Sequence, residues 1–400
     1  MSTDPAAQPR RLAFLATNTG WGGSEELWSA AAAVLAGDGH SVTILKANID
    51  FGEPRIARLR ELGCRFVDLR ALPFVPARGL AWAVKHLWVL SYAVKALRLW
   101  WGLRGARPDL VILSQGHNSD GLFLGKRMQR FGLPYAMIMQ KATELYWPYD
   151  DSVADLRDLY DGAKACWFVS EHNRRLTEEQ LGMALDRASV VRNPFLVPWR
   201  REEGWPDDRN GIRLACVGRL FPAEKGQDLV LRVLARDKWR ARPVSVTFFG
   251  SGKHEHALRR TAVHLGLESV DFAGFAREPA AIWSDHHGLL LPSRAEGLPL
   301  VLVEAMLCGR VPIVTDVAGA SEVVTDSVNG FLASAPTEDR VDEAMERAWA
   351  RRAEWRSIGD RAAADIRRLV PSDPARVMAD LILEQAGALP AWAEPGRRAA

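Results

Sequence analysis

Along the first half of the chain, short apolar runs alternate with stretches in which apolar residues recur every three or four positions. Runs at 12–17, 41–47, 65–69, 110–114, 134–139 and 165–170 are too short for helices and are bounded by Gly, Pro, Asn or Asp, which predicts buried strands. Between the first two, Leu27, Ala31, Val34 and Leu35 keep helical spacing. Ser24 is the expected N-cap there, with Glu25 and Glu26 in the first turn and Gly37 and Gly39 closing the helix. Strand, helix, strand in this order predicts βαβ units and a parallel sheet.

From 193 to 211 the pattern dissolves into Pro194, Pro198, Pro206 and the run Asp207-Asp208-Arg209-Asn210-Gly211, an interdomain linker. Beyond it the alternation restarts, with strands expected at 213–217, 244–249, 270–273, 288–292 and 311–315. The expected fold class is therefore α/β: a Rossmann-like domain at 1–192 and another at 212–370, each doubly wound, with a helix and tail at 371–400 crossing back to the first. Two such sheets facing each other across a cleft would hold a ligand between their carboxyl ends.

Composition changes this picture little: 48% hydrophobic and 25% charged residues describe an ordinary globular chain. A net charge of +3 is too small for a protein that neutralises nucleic-acid phosphates. Cys64, Cys166, Cys216 and Cys308 show no metal-chelating spacing. Residues 1–11 are polar and lack the apolar stretch of a signal peptide, so the expected location is the cytoplasm or the cytoplasmic face of the membrane. The Trp-rich segment 79–104 fails as a spanning helix. Lys85, Lys95 and Arg98 leave only the nine residues 86–94 uncharged, against roughly 20 needed to cross a bilayer. It reads either as a half-buried packing helix or as a peripheral membrane contact.

Two stretches carry chemistry. In the first, a strand ends at Pro292, a loop carries Glu296, Gly297 and Leu298, and Pro299 and Leu300 open a helix whose N-terminus suits phosphate. Glu304 lies on that otherwise apolar helix. Its carboxylate either faces solvent or is buried, where ligand hydroxyls such as a ribose diol would compensate the cost. In the second, Gly218 and Arg219 leave a strand and Lys225 precedes Gly226, so that a planar guanidinium and a point charge can meet at a diphosphate.

Together these motifs resemble the retaining glycosyltransferases of family 4, which have the GT-B fold. The resemblance rests on the Glu296-x7-Glu304 pair, on Gly218-Arg219-x5-Lys225-Gly226, and on Gly20-Trp21-Gly22-Gly23-Ser24-Glu25 after the first strand. Ser170, Asn193-Pro194, Gly250-Ser251-Gly252, Phe272-Ala273-Gly274, Gly319, Glu322 and Asn329-Gly330 follow in consistent order. The resemblance implies that Arg219 and Lys225 hold the diphosphate of a nucleotide-sugar, Glu304 its ribose, and backbone near Phe275 its base. Glu296 and the amides of Gly297 and Leu298 would contact the transferred sugar. Gly22 and Gly23 either let the first loop approach a ligand closely or form a tight turn with none. The family often has a histidine after the fourth strand that faces the donor sugar. His117 is either that residue, displaced, or an ordinary loop histidine, and Gln140-Lys141 replaces the histidine often seen after the fifth strand.

The expected activity is metal-independent, retaining transfer of a sugar from a nucleotide-diphosphate-sugar to a hydroxyl of a carbohydrate, lipid-linked or small-molecule acceptor. No cofactor beyond the co-substrate and no nucleic acid is expected. No Asp-x-Asp occurs in the chain, so fixed cations would take the place of a metal. A dinucleotide oxidoreductase is disfavoured, because the first loop lacks the G-x-G-x-x-G order and Lys46 stands where an acid belongs. A non-catalytic, transferase-like partner subunit is the alternative.

Overall fold

Seven strands build the first sheet: β1 (Arg11–Ala16), β2 (Ser41–Lys46), β3 (Arg65–Asp68), β4 (Leu110–Gln115), β5 (Tyr135–Met139), β6 (Cys166–Phe168) and β7 (Ala188–Val190). Six build the second: β8 (Ile212–Val217), β9 (Val244–Phe249), β10 (Val270–Gly274), β11 (Gly288–Leu291), β12 (Val311–Thr315) and β13 (Phe331–Ala333). The computed structural model describes residues 8–70, 81–200, 204–207, 209 and 211–387, and the side chains of 81–92 are not part of that description. Expectations for 1–7, 388–400, Trp82 and Trp88 thus lie outside the described residues.

The sheet orders are 3-2-1-4-5-6-7 and 10-9-8-11-12-13, and every described pairing within them is parallel. All of β4 and β5 is buried, because helices cover both faces of a parallel sheet. In each domain the strand order reverses between the first and fourth strands. The crevice at such a switch point is where this architecture holds ligands. β7 and β13 escaped the sequence reading: each is a three-residue edge strand without a long apolar run.

Two local expectations need correction. The first helix spans Gly23–Gly37 with Gly22, not Ser24, at the N-cap. Ser24 Oγ instead accepts a hydrogen bond from Asn18 Nδ2 at 2.7 Å. Pro299 is the N-cap of the helix Leu300–Leu307 and not its first residue. Within the linker, Val197 is buried in the second-domain core with Phe195 and Trp199 packed against it. The C-terminal helix Pro374–Gly387 returns to the first domain, burying Met378, Ala379, Ile382 and Ala386 against Leu27, Trp28 and Ala31. In the helix Ala81–Ala106, Leu99 and Leu103 join the core while Leu97 and Trp101 are exposed. Among the described residues no helix is long and apolar enough to cross a membrane.

Candidate active site between the two sheets

On the second-domain side, the loop after β8 and the loop after β11 are stitched together. The Glu224 carbonyl accepts from the amides of Arg294 (2.7 Å) and Ala295 (3.1 Å), while Arg294 Nη1 donates to the Pro222 carbonyl and to Asp228. Gly226, at φ +65°, lies so close to the Pro292 carbonyl that a Cβ would stand 1.9 Å from its oxygen, so only glycine closes this turn. The stitching gathers the charged groups. Lys225 Nζ lies 2.5 Å from Glu296 Oε1, which also accepts from Ser293 Oγ at 2.7 Å. Arg219 Nη2 pairs with Glu224 Oε2 at 2.8 Å, and its guanidinium stays 60% exposed.

Glu304 is buried, 5% exposed, and its Oε1 accepts the Leu196 amide at 2.9 Å. Burial raises this carboxyl to about 7; the Leu196 amide opposes the rise, Glu26 in the first domain adds to it, and Arg55 opposes it. The amides of Gly297 and Leu298 have no hydrogen-bond partner among the described residues. Gly252 is pressed against Leu220, where a Cβ would meet its carbonyl at 2.4 Å. Phe275 stands apart on the rim after β10, largely exposed.

On the first-domain side, the glycine-rich loop after β1 is clamped by Lys46. Its buried ammonium donates to the carbonyls of Asn18 and Gly20 and pairs with Glu25 Oε2 at 2.8 Å, an oxygen that Trp28 Nε1 also reaches. Trp21 in the same loop donates to Glu26 at 3.0 Å. A Cβ at Gly22 would meet nothing within 4 Å, whereas at Gly23 it would stand 3.0 Å from Leu300 across the cleft. After β4, His117 Nδ1 sits 3.2 Å from Ser119 Oγ, while its Nε2 is buried without a hydrogen-bond partner. Burial, reinforced by Lys141, pushes the imidazole down to about 4, against a weaker upward pull from Glu224. His117 is therefore neutral at physiological pH.

Three further contacts join the domains around the cleft. Lys141 Nζ pairs with Glu224 Oε1 at 3.0 Å, so one carboxylate joins Lys141 of the first domain to Arg219 of the second. Burial raises the Glu224 carboxyl, but Lys141, Arg219 and Lys225 outweigh it and hold the group below its ordinary range. Gly297 comes so near the Gln140 carbonyl that a Cβ would lie 2.0 Å away, which makes glycine necessary for this approach. Glu322 accepts the His172 amide (3.0 Å) and Arg192 Nη1 (3.1 Å).

Two family models match the chain over these same units. Glycosyl transferase 4-like domain covers residues 22–194 and Glycosyl transferases group 1 covers 211–351. The chain belongs to the group 1 glycosyltransferases. Among curated relatives, this glycosyltransferase is similar to the GDP-mannose-dependent alpha-(1-6)-phosphatidylinositol monomannoside mannosyltransferases of Mycolicibacterium smegmatis and Mycobacterium tuberculosis. The first is 29% identical over 48% of this chain and 54% of its own length; the second is 28% identical over 60% and 67%. With the first, the likeness thus spans little more than half of the relative. In fold, the glycosyltransferase resembles Anabaena Alr3699/HepE in complex with UDP and glucose, with a TM-score of 0.72 and 18% identity over 95% of this chain and 100% of that one. It also resembles sucrose-phosphate synthase from Thermosynechococcus elongatus, with a TM-score of 0.70 and 16% identity over 94% and 99%. These neighbours establish the GT-B arrangement of two Rossmann-like domains.

Within the glycosyltransferase, Arg219, Lys225 and Glu296 lie together, His117 joins them through Lys141 and Glu224, and Glu304 occupies a separate buried position facing Glu26. Lys141 and Glu224 were missed as site residues. Lys46, which ends a strand beside the glycine-rich loop and Glu25, is marked by its local sequence as the clamp of that loop.

Proposed function

We propose that the protein is a retaining, metal-independent glycosyltransferase that moves a sugar from a nucleotide-diphosphate-sugar to a hydroxyl of a glycan, glycolipid or small-molecule acceptor. The observation that carries this reading is the convergence of Arg219, Lys225 and Lys141 on the Glu224 and Glu296 carboxylates between the two sheets. As the glycosidic bond loosens, negative charge grows on the departing diphosphate, and fixed cations placed there stabilise it without reorganising. In this reading Arg219 and Lys225 exchange part of their carboxylate pairing for phosphate. Glu304 takes the hydrogens of the ribose diol, and Glu296 with the amides of Gly297 and Leu298 contacts the transferred sugar. Neutral His117 offers the donor sugar a hydrogen bond through Nε2, and backbone beside Phe275 meets the base. The departing phosphate takes the acceptor's proton on the same face, so the anomeric configuration is kept. Residues 79–104, with exposed Trp101, make peripheral contact with the cytoplasmic face of a membrane.

The test is release of nucleotide from UDP-glucose and GDP-mannose, with and without saturating EDTA, and the anomer of the product read by NMR. Unchanged turnover in EDTA and a retained anomer are expected. Activity abolished by EDTA and restored by magnesium or manganese would remove the metal-independent step, and an inverted product would remove retention.

A further inference from the structure

Immediately beyond Lys141, the chain places four large apolar side chains on the outside: Leu145 (54% exposed), Tyr146 (46%), Trp147 (58%) and Tyr149 (83%). Exposing three aromatic rings and a leucine between 145 and 149 marks a contact surface. The backbone beneath them is held. Buried Gln180 donates through Nε2 to the carbonyls of Thr143 (3.1 Å) and Tyr146 (3.4 Å) and accepts through Oε1 from Asn118 Nδ2 at 2.8 Å. One glutamine thus ties the aromatic loop to the loop of His117, and the Tyr146 ring stands edge-on to the His117 ring at 5.6 Å between centroids. The rings therefore run outward from the reaction centre on a preorganised support.

The charge around them selects the occupant. Between 144 and 161 there are six acidic residues and one arginine, and Asp150 and Asp151 beside Tyr149 are exposed. An anionic bilayer or a phosphorylated ligand would be repelled here. Flat aromatic faces with flanking carboxylates suit uncharged, hydroxyl-rich rings instead, the faces covering C–H groups and the carboxylates accepting from hydroxyls. We propose that Tyr146, Trp147 and Tyr149, with Asp150 and Asp151, form an outer acceptor subsite on which sugar rings of a neutral glycan stack. The inference rests on the glycosyltransferase reading above and adds the class of acceptor.

The experiment compares wild type with a Trp147→Ala/Tyr149→Ala variant by saturation-transfer NMR against maltohexaose and an α-linked mannohexaose, with Trp147→Tyr/Tyr149→Phe as the ring-preserving control. Binding of at least one oligosaccharide by wild type, weakened about tenfold or more in the alanine variant and kept in the control, is expected. Nucleotide release from UDP-glucose or GDP-mannose into water should be equal in all three proteins. If wild type binds neither oligosaccharide, or the alanine variant binds as well as wild type, the subsite is overturned. Flotation of wild type on vesicles of phosphatidylcholine and phosphatidylglycerol that is lost in the alanine variant overturns it in favour of a lipid surface. Failure of wild type to release nucleotide from either donor, with oligosaccharide binding intact, counts against the transferase reading and not against the subsite.

Discussion

Lys141 Nζ and Glu224 Oε1 lie 3.0 Å apart across the interdomain cleft, and the other oxygen of Glu224 holds Arg219. A cation from one domain thereby stands beside the proposed diphosphate site of the other. Lys141→Ala is expected to lower kcat/KM about tenfold, the worth of one charge-assisted hydrogen bond. It should also flatten the dependence of rate on salt, since one interdomain charge is gone. Initial rates across a sodium chloride series check this. A variant with wild-type rate and salt response would leave Lys141 no part in the reaction.

Arg219 and Lys225 should separate by stability as well as by rate. Each alanine variant is expected to lower turnover by roughly 10²-fold or more, comparable to deleting one oxyanion donor. Arg219 is mostly exposed, so its loss should leave the melting temperature unchanged. Lys225 pairs with Glu296, which is 10% exposed, and Lys225→Ala leaves that carboxylate without its cation and with only the Ser293 hydroxyl beside it. A fall of several degrees is expected, restored in Lys225→Ala/Glu296→Gln without return of activity. Thermal melts of the four proteins decide it.

Glu304 makes the unliganded protein less stable as pH rises. Its folded value of about 7 lies above the ordinary carboxylate value, so between about 4.5 and 7 the folded state binds more protons than the unfolded state. Stability therefore falls across that window and levels off above it, by about 3 kcal/mol if no other group compensates. Glu304→Gln should remove this slope and melt higher than wild type at pH 8. If Glu304 takes the proposed ribose role, its ionised form is the stronger acceptor, and nucleotide diphosphate should bind wild type more tightly as pH rises through 7, relative to the glutamine variant. Parallel pH profiles of affinity would discard the ribose role.

Trp101 is 62% exposed on the helix Ala81–Ala106, whereas Trp100 is partly covered, with Arg104 5.1 Å from its ring. Weak, salt-sensitive flotation on anionic vesicles is expected from wild type and should be reduced by Trp101→Ser. Identical flotation of the two proteins would return the helix to packing alone.

The two βαβ domains, the glycine-rich loop and the isolation of Glu304 on an apolar helix were legible in the chain itself, because each is written in neighbouring residues. Strand and helix periods repeat within ten or fifteen positions, and a lone glutamate in Leu-Val-Leu-Val-Glu-Ala-Met-Leu has few polar neighbours to share. Partnership is another matter. The Glu322 carboxylate meets residues 150 and 130 positions away, and Lys141 replaces an anticipated histidine only to reach a glutamate in the other domain. Nothing local marks these pairs, since attraction between charges depends on separation and burial in space, and both are set only when the two sheets face each other. The sequence determined which groups could do chemistry; the tertiary structure decided which of them stand together.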